Sequence, residues 1–61
     1  MKTLVLIDDD AEFLSWLETG LKLKGNYTVF TALDGTKGWA LLQAKKPDLA
    51  IIDIKLPDIQ L

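Results

Sequence analysis

The chain has no cysteine and no histidine. The first absence excludes a disulfide framework and any thiolate metal site. The second removes the commonest general base, the usual zinc ligand, and any Ser-His or Cys-His pair. Metal chemistry must therefore use oxygen ligands, which favours hard cations such as magnesium or calcium. Long hydrophobic runs are missing as well. Asp8, Asp9 and Asp10 cut off the apolar run Leu4-Val5-Leu6-Ile7, so it falls far short of a signal-peptide core. No segment is long enough to span a membrane. There is also no basic stripe. The lysines are scattered and the net charge is −2, which is not the footprint of a nucleic-acid binder. These absences lead to the expectation of a cytoplasmic protein that touches neither membrane nor nucleic acid.

What is present is apolar. Hydrophobic residues make up 49% of a chain of 61, too many for a disordered segment. That length allows at most one small domain. A domain so short buries only about 60% of its unfolded surface, so its stability is expected to be marginal.

Thr3 to Ile7 reads as a buried strand. The Asp triplet ends it, and Asp9 or Asp10 can cap the helix that follows. From Ala11 to about Lys24 the period is helical. Phe13, Leu14, Leu17 and Leu21 form one stripe, with Trp16 and Leu23 on its flank. Gly25 and Asn26 end that helix. Tyr27 to Ala32 is rich in β-branched and aromatic residues and predicts a second strand. Asp34-Gly35 opens a second helix over about Thr36 to Lys45, with Trp39 and Leu42 as expected core residues. Gly38 is a poor helix former, which suggests close packing beneath it. Leu49 to Ile52 has no polar alternation and suits a strand buried on both faces.

Strand, helix, strand, helix, strand with short links predicts a parallel sheet with crossover helices. The two most apolar strands should be inner and the threonine-bearing one an edge, giving the order second, first, third. The topological switch point then lies between the first and third strands. Asp8, Asp9 and Asp53 converge there, at one end of the sheet. A solvated turn plus a helix cap is the plainer account of the Asp triplet, but it does not explain Asp53 at the neighbouring strand end. Three close carboxylates repel one another, and a magnesium ion relieves this with oxygen ligation. An exposed Asp beside such an ion can act as a nucleophile toward a phosphoryl group, and that chemistry asks for no histidine on this chain.

Leu4-Val5-Leu6-Ile7-Asp8-Asp9-Asp10, Thr31-Ala32-Leu33-Asp34-Gly35 and Pro47-Asp48-Leu49-Ala50-Ile51-Ile52-Asp53-Ile54-Lys55-Leu56-Pro57-Asp58 occur in this order. In sequence and spacing the chain resembles the first half of the receiver domain of bacterial two-component response regulators. The resemblance implies a flavodoxin-like α/β fold, with residues 1–61 as a truncated receiver domain. It implies that Asp53 is the phosphoacceptor, taking its phosphoryl group from a sensor histidine kinase in a phosphorelay. It implies a Mg2+ site with Asp9 as a direct ligand, Asp8 acting through water, Asp53, and the backbone carbonyl of Lys55. Such a domain is a signalling module rather than an enzyme. The family's second half supplies a Ser or Thr that contacts the phosphoryl group and a Lys that bridges to the acceptor. No residue in 1–61 takes either role. Gln60 and Leu61 also depart from the Asp-Gly-like pair usual after the proline.

Two other readings compete. If the sheet ends at its third strand, Leu49–Ile52 is a flat apolar edge, a template for pairing with a second chain. The chain is then a self-associating half-domain, a homo-oligomer without phosphoryl chemistry. A magnesium-dependent phosphatase of the haloacid dehalogenase type needs Asp-x-Asp-x-Thr after the first strand. Asp8-Asp9-Asp10-Ala11-Glu12 lacks that threonine. A flavodoxin is disfavoured because no phosphate loop rich in Ser, Thr and Gly follows the first strand.

Overall fold

A computed structural model describes residues 1–53. Five elements alternate: β1 (Lys2–Ile7), α1 (Ala11–Leu23), β2 (Tyr27–Ala32), α2 (Gly35–Lys45) and β3 (Leu49–Ile52). The strands form one parallel sheet in the order β2-β1-β3. This is the flavodoxin-like arrangement expected from the alternation of elements.

The centre of the sheet is β1, and its composition explains why. Leu4, Val5, Leu6 and Ile7 are all buried, so this strand is apolar toward both faces. Strand alternation sends Leu4 and Leu6 one way and Val5 and Ile7 the other. The first pair packs with Leu14 of α1 and Val29 of β2, and Leu17 and Leu21 close over them. The second pair packs with Ala32, and Phe30, Leu41, Leu42 and Ile52 complete that side. One helix therefore covers each face.

Local signals set the helix ends. Asp10 is the N-cap of α1, and its carboxylate accepts from Phe13 N at 3.1 Å. Asp34 caps α2 in the same way, accepting from Lys37 N at 2.8 Å. Each satisfies one of the N–H groups that a first turn leaves without a partner. Beyond Leu23 and its cap Lys24 the chain turns out of α1 at Gly25, whose φ of 78° is left-handed, a conformation glycine adopts without steric cost. Lys46 ends α2, also left-handed at φ 45°.

Gly38 packs as its helix position suggested. A Cβ built there would approach Ile7 Cγ1 to 2.7 Å, so only glycine lets α2 lie this close to β1.

Three packing expectations are corrected. Trp39, expected in the core, is 62% exposed; Leu42 packs inward on α2 as expected, and Leu41 takes the other inward position. Phe13 belongs to the α1 stripe by period, yet it is 41% exposed, because α1 lies toward β2 and leaves the β3 side open. For the same reason β3 is not buried on both faces. Leu49 and Ile51 share the α1 face with Leu4 and Leu6 through the register, but they remain 55% and 41% exposed.

Candidate functional site

Asp8 follows the last residue of β1, and Asp53 follows the last residue of β3. The register pairs Ile7 with Ile52, so the next residue on each strand is an aspartate. Ile7 and Ile52 turn toward α2; alternation therefore sends Asp8 and Asp53 toward the α1 side. Backbone bonds hold both positions. Asp8 N donates to Ala32 O at 3.1 Å, and Asp53 N donates to Ile7 O at 2.9 Å. The junction is thus tied to β2 on one side and β3 on the other.

Asp9 completes the cluster. One carboxylate oxygen each from Asp8, Asp9 and Asp53 can be chosen so that all lie within 4.8 Å of one another. Asp9 is exposed, and Asp8 and Asp53 are half-buried. Sequence alone left the capping role open between Asp9 and Asp10. The structure gives the cap to Asp10, and Asp9 is grouped with the other two carboxylates. Asp8 is also oriented locally, since its Oδ1 accepts from Asp10 N at 3.0 Å.

At about 4 Å, two unit charges repel by roughly 4 kcal/mol near a protein surface. A cation among three such oxygens relieves that repulsion. The donor set is all oxygen and partly exposed, which suits a hard ion that keeps some of its water. The residues present therefore fit magnesium. Lys55, whose backbone carbonyl is the expected further ligand, lies outside the described residues. A cavity of about 230 Å³ adjoins the cluster, with Phe13, Leu14, Leu17 and Ile51 in its wall and Asp8 and Asp53 in its lining. It occupies the space that α1 leaves open beside β3.

Sequence reasoning missed one contact at the opposite end of β3 from the cluster. Asp48 appears in the third motif, but no role was assigned to it. Its carboxylate accepts from Thr3 N at 2.8 Å, and its own N–H donates to Thr3 O at 2.8 Å. The only sequence signal was its place after Pro47, where a strand begins.

A parallel sheet with acidic side chains gathered at the carboxyl ends of two adjacent strands defines a class of α/β domain with its candidate site at the topological switch point. Within that class the assignment is direct: residues 4–60 match the response regulator receiver domain, and the chain belongs to that family. It is similar to the transcriptional regulatory protein AfsQ1 of Streptomyces coelicolor, with 41% identity over 97% of this chain and 26% of that protein. It is 38% identical to the transcriptional regulatory protein PrrA of Mycobacterium tuberculosis, over 87% of this chain and 22% of that protein. It is 33% identical to the alkaline phosphatase synthesis transcriptional regulatory protein PhoP of Bacillus subtilis, over 95% of this chain and 24% of that protein. The chain thus spans about a quarter of the length of these relatives. Among the described residues, no helix is long and apolar enough to cross a membrane.

Proposed function

We propose that this chain is the phosphoacceptor part of a response regulator, and that Asp53 takes a phosphoryl group from a sensor histidine kinase in the cytoplasm. The observation that carries this reading is the juxtaposition of Asp53 with Asp8 and Asp9, whose carboxylate oxygens group within 4.8 Å. Asp8, Asp9 and Asp53 would hold Mg2+, with the Lys55 carbonyl as a further ligand. When bound, the ion supplies charge neutralisation for an incoming phosphoryl group.

The chain's own residues do the rest. A carboxylate oxygen of Asp53 bonds to phosphorus as the bond from phosphorus to the donor imidazole nitrogen breaks. The electron pair of that bond leaves with the imidazole, and Asp53 becomes an acyl phosphate. The Asp53 N–H to Ile7 O bond fixes the backbone from which the acceptor projects. The domain is modified once and then read, so it acts as a switch rather than as an enzyme. In a longer protein of the kind its relatives' names describe, the reader would be a transcriptional output.

Intact-mass measurement tests the reading. The chain is incubated with a small phosphodonor such as acetyl phosphate and millimolar Mg2+. A gain of one phosphoryl group that disappears in Asp53→Asn is the expected result. No gain with saturating donor would overturn it for this chain.

A second reading has its own support. Leu49 and Ile51 are half-exposed on a strand that pairs only with β1 among the described residues. Such an edge invites a second copy of the chain to add to the sheet. Homo-oligomerisation through Leu49–Ile52 is therefore also proposed, and it is compatible with phosphorylation.

A further inference from the structure

The four residues of β3, Leu49-Ala50-Ile51-Ile52, hardly specify their own register. Register is normally fixed because a slip of one residue exchanges a buried apolar face for a polar one. Here both faces of the strand are apolar, and Leu49 and Ile51 are half-exposed as it stands. A one-residue slip therefore carries little burial penalty. It would still move Asp53 by about 3.3 Å along β1 and turn its side chain to the opposite face. A two-residue slip would keep the face and move Asp53 by about 6.6 Å. Either displacement exceeds what a group of oxygens within 4.8 Å can absorb.

Something other than hydrophobic patterning must hold the register, and Asp48 lies where it can. Both hydrogen-bonding groups of the Thr3 backbone go to this one residue. Thr3 O accepts from Asp48 N, and Thr3 N donates to Asp48 Oδ2, each at 2.8 Å. A side chain here takes the place of a strand carbonyl, and it joins positions 45 residues apart. At the far end, Asp53 N closes the ladder on Ile7 O.

We infer that Asp48 is a positioning residue for the phosphoacceptor site: its clamp on Thr3 sets the β1–β3 register that places Asp53 beside Asp8 and Asp9. The consequence for metal binding rests on the magnesium reading above; the clamp itself does not.

The test compares three variants of the chain by magnesium titration and amide hydrogen exchange. Asp48→Ala removes the acceptor. Asp48→Asn keeps an oxygen for Thr3 N and removes the charge. Val29→Ala weakens the core on the β2 side without touching β3. In Asp48→Ala, Mg2+ affinity falls about tenfold or more, as for other groups that orient metal ligands, and protection of the Thr3 and Asp53 amides drops. Asp48→Asn recovers most of both. Val29→Ala loses stability but binds Mg2+ like the parent.

The inference is overturned if Asp48→Ala keeps the parent's affinity and protection. It is also overturned if Asp48→Asn behaves like Asp48→Ala, since the effect would then be charge and not placement. Failure of the parent to bind Mg2+ would defeat the metal reading alone, and the exchange data would still decide the clamp. Should Asp48→Ala not fold, Asp48→Asn and the parent decide: an unprotected Thr3 amide in the parent, or cross-strand contacts offset from Leu4–Leu49, would sink the inference.

Discussion

At the scale of single residues, this molecule depends on a few side chains with one role each. Asp10 caps α1, which separates it from Asp8 and Asp9. Both were expected at the site from the strand order and the family resemblance, and the structure groups them with Asp53. Their legibility came from residue type and topology together: the strand order second, first, third brings the aspartates after β1 beside the one after β3. Trp39 was misread for the same kind of reason. Helical period marks an apolar position without saying which flank the neighbouring strand reaches. Gly38 yields the prediction at this scale. A methyl group there would collide with Ile7, which is buried and directly precedes Asp8. Overpacking of this kind costs about 1–3 kcal/mol. Gly38→Ala should therefore lower the urea midpoint by a corresponding amount, and the backbone shift at Ile7 should weaken phosphoryl incorporation at Asp53. An unchanged midpoint would mean that α2 moves away freely.

At the scale of elements, β1 and β3 share a composition and differ in fate. Both are short, apolar and unalternating, and both were read as inner strands. Only β1 has a strand on each side and a helix on each face among the described residues. The exposure of Leu49 and Ile51 on β3 underlies the self-association reading. Sedimentation at micromolar concentration should give a species heavier than one chain. The double variant Leu49→Lys, Ile51→Lys should shift it to monomer, since charged side chains on an edge oppose pairing. A parent that sediments as a folded monomer would remove that reading and leave the phosphoacceptor reading intact.

At the scale of the whole molecule, the core is small. Among the described residues seven hydrophobic side chains are buried, four of them from β1. Stability should then respond strongly to anything that binds the folded state alone. A ligand at a hundred times its Kd adds about 2.7 kcal/mol, a large share of what a domain this size possesses. Saturating Mg2+ should raise the thermal midpoint, and chelation should reverse the gain. The Asp53→Asn variant should gain less, because it lacks one ligand carboxylate. Equal gains in both proteins would show that the ion binds elsewhere.

The order of elements, the parallel sheet, the Asp34 cap of α2 and the three carboxylates were legible in the chain alone. These follow from short-range physics: hydrophobic period, the chemistry of the first helical turn, and the rule that parallel strands need crossovers. Tertiary packing was needed to decide which apolar residues are covered, because burial depends on where a helix axis lies across the sheet, and the folded chain gave the α1 cap to Asp10 and not Asp9. It also decided that Asp48 reaches back to Thr3. That contact joins residues far apart in the chain, and no local pattern encodes it. The alignment of Asp53 with Asp8 depends on a strand register that four apolar residues leave open.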